Sequence, residues 1–251
     1  MELRTTSSPG DGTVLVRNAY TEGYRNFIAV GGDGTGFEVL NGLFPEALDA
    51  STRVSLGFLP LGTGNSFLRD FTDDGEEYSL QSLVEGKRRP CDVIKLTHRD
   101  GVLHFMNLMS LGFVAEVGAL TNRRFKRLGQ FGYVLGVLSK VARLQSSSFP
   151  MRVDDGAVEG DEVTFISVNN SRYTGGKMMM APNADISDGE ADLIRVGEMG
   201  RLGLLRTFPK IFKGTHVDHP SASQSRVRSI DFDLSSEVDV MIDGEVLRLL
   251  P

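Results

Sequence analysis

A short apolar run, Phe27-Ile28-Ala29-Val30, breaks off at Gly31-Gly32-Asp33-Gly34-Thr35-Gly36. Beyond the glycines, Phe37, Leu40 and Phe44 recur at helical spacing, with Val39 and Leu43 beside them. The pattern predicts a buried strand, a glycine turn and a helix. It then recurs. An apolar run over 54–61, interrupted by Ser55, Gly57 and Pro60, ends in Gly62-Thr63-Gly64-Asn65-Ser66, again with a helix expected after it. A short helix is expected over 14–24 and another over 78–85, stopped by Gly86.

The period changes after Pro90. Residues 91–96 alternate as a strand, and Asp100-Gly101 is a hairpin signal. Further strands are predicted over 162–168, 191–196, 229–234 and 237–242. One helix interrupts them, carried by Phe131, Val134, Leu135, Leu138 and Val141. A second runs over 201–213, with a kink or break at Pro209. The expected architecture is an α/β unit over 1–89, followed by an antiparallel β-sandwich-like unit over 90–251, with a cleft between them.

Charge and composition narrow the function classes. A net charge of −6 does not suggest a nucleic-acid partner. Cys91 is the one cysteine, so no intramolecular disulfide forms; it reads as a packed thiol in a reducing compartment. No segment has the length and apolarity of a membrane span, and Met1-Glu2-Leu3-Arg4 does not begin a signal peptide. A cytoplasmic location is expected. His98, His104, His216 and His219 show no metal-ligand spacing.

The candidate chemistry lies in the glycine turns. Glycines let the backbone approach a phosphate, and the helix that follows offers free N–H groups and a positive dipole end. Thr35 and Thr63 add hydroxyl donors. Asp33 beside such an anion suits a nearby metal ion or a moving proton; the alternative is a plain strand–helix turn capped by Asp33. Two such turns at the same ends of neighbouring parallel strands would form one crevice, the usual ligand position in an α/β sheet.

These two segments resemble the diacylglycerol kinase catalytic family, which includes bacterial lipid kinases, sphingosine kinases and ceramide kinases. The resemblance continues through residues 106–117, 127–133 and 181–189, and through Asp243-Gly244-Glu245. It implies a nucleotide-binding domain of the phosphofructokinase and NAD kinase type, ATP as co-substrate, Mg²⁺, a lipid hydroxyl as acceptor and transient contact with a membrane surface. By resemblance Thr6, Gly31, Gly32, Asp33, Gly34, Thr35, Gly36, Gly62, Thr63 and Asn65 hold the nucleotide. Three carboxylates, Glu245, Asp92 and Asp33, compete as base, with Glu245 or Asp92 preferred and Asp33 nearest Mg-nucleotide. Asp185, Asp188 and Glu190 resemble a structural Mg²⁺ loop; read without the resemblance they form an Asx-turn between strands.

Departures from the family pattern are informative. The chain starts after the position of the family's first strand–helix unit, which implies a shortened nucleotide site. Phe37 replaces a common asparagine, and Ser66 an aspartate common in bacterial members. Gly118 replaces the aspartate that meets a sphingoid amine, which favours a neutral, diacylglycerol-like lipid. Lys126 and Arg127 overlap a phosphate-contacting cluster, but Gly132 lacks its second arginine. The basic clusters, Arg123, Arg124, Lys126 and Arg127 before the helix expected over 131–141 and Arg206, Lys210 and Lys213 within the one over 201–213, could meet anionic headgroups but read more readily as solvated helix faces. Met178-Met179-Met180 suits either a lipid pocket or a packed strand. The alternatives to a lipid kinase are a kinase of a soluble substrate such as NAD and a non-catalytic lipid-binding protein. A homodimer stays open.

Overall fold

The computed structural model describes residues 2–44, 53–62, 65–71, 75–124, 136–137, 139–142 and 144–251. Helix α1 (Asp11–Thr21) leads into strand β1 (Asn26–Gly31), helix α2 (Asp33–Leu43), strand β2 (Ser55–Pro60) and helix α3 (Gly75–Glu85). β1 and β2 pair in parallel, Phe27 opposite Leu56 and Gly31 opposite Pro60. Alternation decides the layers. Phe27 and Ala29 of β1 meet Val16 of α1 and Val39 and Leu43 of α2 on one face. On the other face Gly57 takes Leu83 of α3 so closely that an added Cβ would lie 2.6 Å from its Cδ2. The result is helix, sheet and helix, as expected.

The second unit starts with the hairpin β3 (Ile94–His98) and β4 (Gly101–Phe105), then β5 (Leu108–Gly112) and helix α4 (Phe113–Arg124). Short strands β6 (Ser147–Ser148), β7 (Met151–Val153) and β8 (Val158–Glu159) precede the long β9 (Glu162–Asn169). A hairpin, β10 (Tyr173–Thr174) and β11 (Met178–Met179), leads to β12 (Ala191–Gly197), helix α5 (Arg201–Thr207) and the 3-10 turns Phe208–Lys213 and Thr215–Asp218. The chain closes with β13 (Ala222–Val227), β14 (Ile230–Phe232), β15 (Val238–Ile242) and β16 (Glu245–Leu249).

Seven of these strands form one sheet, ordered β13-β12-β9-β5-β15-β16, with β6 beside β9. Its pairs are antiparallel. Alternation buries both faces. Leu108, Ile194, Val196 and Met241 pack under α4 and α5. Met109, Leu111, Leu193 and Ile242 pack against β7, β14 and the β3–β4 hairpin. This is the sandwich-like unit that the strand periods predict.

Several local expectations need correction. The helix expected after the second glycine turn is only a 3-10 turn, Phe67–Asp70, because the Asp70 carboxylate and carbonyl turn to Arg172. The strand expected from Cys91 begins at Ile94; the Asp92 N–H bonds the Ile186 carbonyl at 2.7 Å instead of a sheet partner. α4, the strands β5, β6, β7, β8 and β10, and β13 and β16 carry no expectation from the sequence. The expected helix over 131–141 falls largely outside the described residues, as do Lys126, Arg127 and Gly132. Cys91 is an exposed residue, but its thiol accepts from the Asn170 amide at 3.8 Å and desolvation pushes its pKa up to about 12. The break at Pro209 is present: α5 stops at Thr207 and a 3-10 turn continues to Lys213, since proline cannot donate into the helix ladder.

Candidate active site

The two glycine turns touch. An added Cβ on Gly32 would lie 3.1 Å from the Gly62 Cα, and one on Gly62 would overlap the Gly32 Cα. Only residues without side chains permit this approach, and the β1–β2 register sets it, because Gly31 pairs with Pro60 at the strand ends. Asn65 adopts positive φ (48°), and its Nδ2 donates to the Gly62 carbonyl at 2.8 Å, which holds the second turn closed. Thr63 and Gly64 lie outside the described residues.

Asp33 is the first residue of α2, yet no side chain caps that helix at Gly32. The Asp33 carboxylate reaches across to the second turn. It accepts the Ser66 N–H at 3.0 and 3.2 Å, and the Phe67 N–H and Ser66 hydroxyl also donate to it. The helix-cap reading of Asp33 is therefore not what the geometry has. Burial raises its pKa despite these donors. Ser66 in turn accepts the Gly176 N–H at 2.9 Å, from the β10–β11 turn of the second unit. Serine thus bridges the two units at this position.

The second unit brings more acids. The Asp243-Gly244 turn joins β15 to β16, with Ile242 opposite Glu245 and both turn residues at positive φ (46° and 89°). That is the two-residue hairpin favoured by an Asp-Gly pair. It folds Asp243 back under the β4–β5 connection, where its carboxylate accepts the N–H groups of Met106, Asn107 and Leu108 at 3.2, 3.1 and 3.0 Å. The Asp243 residue is 2 % exposed. Burial first, with the charge of Asp33 contributing, pushes its pKa up to about 7. Glu245, first in β16, leans over the first turn of α2: its Oε1 lies 2.7 Å from where a Gly34 Cβ would be. Asp33 and Asp243 therefore meet where the glycine turns touch, lining one cavity there with Gly31, Asn65, Met106 and Asn107, while Glu245 stands next to it over Gly34 of the first turn.

Other predicted site residues fare differently. Thr35 turns its hydroxyl and methyl back against Gly31, and Gly36 is buried against Phe58 and Met106. Thr6 is exposed in the segment before α1. Asp92 Oδ2 accepts the Gly189 N–H at 2.7 Å, so its carboxylate holds the 185–189 loop. In that loop Asp185 accepts the Ser187 N–H and hydroxyl, both at 3.0 Å, and Asp188 accepts the Glu190 N–H at 3.0 Å. Glu190 pairs with Arg228 at 3.3 Å. Among the described residues no group of three His, Cys, Asp or Glu side chains is placed to hold a metal ion. The structure does not bring Asp185, Asp188 and Glu190 together as such a set; the Asx-turn geometry describes this loop.

Two site residues escaped sequence reasoning. Asp243 read only as part of a motif, although the Asp-Gly hairpin signal was available. Asn170 gave no signal. It is buried, donates to the Asp92 and Met106 carbonyls at 3.0 and 2.9 Å, and leaves its Oδ1 buried without a partner. It ties the Asp92 segment to the floor of the Asp243 site.

Comparison with known proteins identifies both parts of the chain. Residues 1–96 match the family model described as the diacylglycerol kinase catalytic domain. Residues 107–251, more than half of the chain, match the YegS C-terminal NAD kinase beta sandwich-like domain. The chain belongs to the diacylglycerol kinase catalytic family. Among curated members of that family, the chain is 29 % identical over 244 residues to a diacylglycerol kinase of Mycobacterium tuberculosis (strain CDC 1551 / Oshkosh), covering 96 % of this chain and 77 % of that one. A diacylglycerol kinase of Bacillus subtilis (strain 168) is 27 % identical over 249 residues, covering 98 % and 79 %. A crystal structure of a diacylglycerol kinase from Bacillus anthracis str. Sterne shares the fold at TM-score 0.66 and 22 % identity, over 97 % of this chain and 77 % of that chain.

Proposed function

We propose that this chain is an ATP- and Mg²⁺-dependent lipid kinase that phosphorylates a hydroxyl of a diacylglycerol-like lipid. The observation that carries the reading is the meeting of Asp33 and Asp243 at the touching glycine turns, with Glu245 over Gly34 beside them. The turns are a cradle for phosphates, since no side chain stands between the Gly32 and Gly62 backbones. The residues fit a metal that arrives with the nucleotide better than an all-protein cage: Mg²⁺ carried on phosphates needs only one or two carboxylates, and Asp33 and Asp243 are the pair whose proximity raises a pKa. When bound, Mg²⁺ would neutralise phosphate charge.

Glu245 is our candidate base. It leans over Gly34 at the lip of the α2 N-terminus and its carboxylate makes no hydrogen bond to the backbone among the described residues, whereas Asp92 is committed to Gly189. The lipid hydroxyl gives its proton to Glu245 while its oxygen bonds the γ-phosphorus, and the bond to the β-phosphate oxygen breaks to release ADP. Asp33, fixed by Ser66 and Phe67, orients the nucleotide end. A neutral acceptor is supported by Gly118, which is buried on α4 where an added Cβ would lie 2.8 Å from the Met241 Sδ; a carboxylate there would need repacking. No helix among the described residues is long and apolar enough to cross a membrane, so the enzyme would meet its lipid from the surface.

The test is phosphate transfer from labelled ATP to a panel of lipids in mixed micelles with Mg²⁺, comparing the wild-type protein with Asp33→Asn. Labelled diacylglycerol product from wild type alone supports the reading. Transfer to soluble NAD but to no lipid overturns it in favour of the second reading, which the NAD kinase-like sandwich of residues 107–251 motivates.

A further inference from the structure

The segment Arg201–Lys213, made of α5 and the 3-10 turn after it, packs on the sandwich through Leu204, Thr207 and Ile211. Its outward side is unusual. Leu202, Leu205 and Phe212 are 69 %, 38 % and 39 % exposed. Around them stand four exposed cations, Arg201, Arg206, Lys210 and Lys213. No Asp or Glu occurs between Glu198 and Asp218, in a chain whose net charge is −6. Among the described residues no ion pair engages any of the four.

The surface also adjoins the acid site through one hairpin. Gly214, just past Lys213, lies against Met179 and Pro182, with an added Cβ 2.8 Å from the Met179 Sδ. Met179 belongs to β11, and the β10–β11 turn donates its Gly176 N–H to Ser66, the partner of Asp33.

We propose that this surface docks on the anionic headgroup layer of a lipid bilayer. Leu202, Leu205 and Phe212 enter the interface, and the four cations meet lipid phosphates. Exposed apolar side chains interleaved with Arg and Lys are what an interfacial helix needs: the apolar groups leave water and the charges stay at headgroup level. Charge complementarity selects this occupant, because the cations attract a negative leaflet and the apolar groups gain from entering it. The inference rests on the lipid-kinase reading, since an enzyme acting on bilayer lipid has to hold that bilayer near its cleft.

The test is co-sedimentation of the protein with vesicles of phosphatidylcholine and phosphatidylglycerol, against phosphatidylcholine alone, at low and high salt. Wild type is expected to pellet only with the anionic vesicles and to be released by salt. Lys210→Gln together with Lys213→Gln should lower partitioning about 25-fold, at about fivefold per cation. Leu202→Ser should lower it too, and each variant should keep wild-type transfer to the same lipid in neutral detergent micelles. Unchanged partitioning of both variants overturns the proposal. So does a dimer that ignores vesicles and dissociates on Leu202→Ser, which gives the surface to a second copy. A protein that phosphorylates micellar lipid but binds no vesicle loses this surface and keeps its kinase activity. One that binds anionic vesicles through these residues, yet transfers no phosphate to any lipid, keeps the surface and loses the kinase reading.

Discussion

Glu245 and Gly34 meet across the two units with no side chain between them: a Cβ on Gly34 would lie 2.7 Å from the Glu245 Oε1. The contact is with the far end of a flexible side chain, so Gly34→Ala should cost little stability. It should displace the carboxylate that we assign as base. The expected outcome is a thermal midpoint within a few degrees of wild type and kcat lowered about tenfold or more, since misplacing a reacting group by about 1 Å costs up to about 100-fold.

Glu245→Gln and Asp92→Asn separate the two candidate bases. Removing a general base typically costs about 10²–10⁴ in rate. Glu245→Gln should fall in that range with nucleotide affinity kept. Asp92→Asn should act through the 185–189 loop, because its Oδ2 holds the Gly189 N–H. It should lower thermal stability more than it lowers kcat. The reverse ranking in steady-state kinetics would return the base role to Asp92.

Gly62→Ala tests the contact of the glycine turns. The new methyl would run into the Gly32 backbone, which cannot rotate away as a side chain does. Overpacking of this kind costs about 1–3 kcal/mol. Weaker Mg-ATP binding in a titration, together with a lower midpoint in chemical denaturation, is the expected pair of results.

Asp243 makes stability depend on pH. Its folded pKa, about 7, lies above the ordinary 3.8 because the carboxyl is buried. The native state therefore holds more protons than the unfolded chain between pH 4 and pH 7. The sign follows: this group's contribution is full below its unfolded pKa and is lost as pH rises through about 7. The slope is up to about 1.4 kcal/mol per pH unit. Asp243→Asn should flatten that part of the stability curve. It should also destabilise by about 1–3 kcal/mol, because the N–H groups of Met106, Asn107 and Leu108 lose a carboxylate oxygen.

Arg172→Ala should loosen the two units. Its Nε bonds Asp70 Oδ1 at 2.9 Å, and its Nη2 bonds the Asp70 carbonyl at 3.0 Å. The Asp70 side chain is buried, and desolvation already raises its pKa against the pull of Arg172. Removing the arginine leaves that carboxylate without its guanidinium. About 2 kcal/mol is expected, less than for a fully buried pair because the arginine is partly exposed. Hydrogen exchange should rise at Phe67–Asp70 and at β10 before it rises in the large sheet.

Local pattern determined much of this protein. The apolar run before Gly31 and the helical spacing of Phe37 and Leu40 settled β1 and α2, and the short runs of apolar and β-branched residues over 162–168 and 191–196 settled β9 and β12, central strands that the sandwich buries on both faces. The ordered motifs settled the family. α4 was hidden because it follows β5 without a break and its apolar residues Phe113, Val114 and Val117 continue a β-like run. β13, reading Ala-Ser-Gln-Ser-Arg-Val, was hidden because an edge strand with one partner carries little apolar signal.

What only the tertiary structure decided is which polar groups meet. Asp33 turning from its own helix to Ser66, Asp243 folding under Met106–Leu108, Asn41 clasping the His104 backbone at 2.9 Å on both sides, and Asp92 leaving the site for Gly189 are all contacts between residues far apart in the chain. A period records which side of an element is buried. It does not record which donor, tens of residues away, will face a given carboxylate, and the chemistry of this site depends on that pairing.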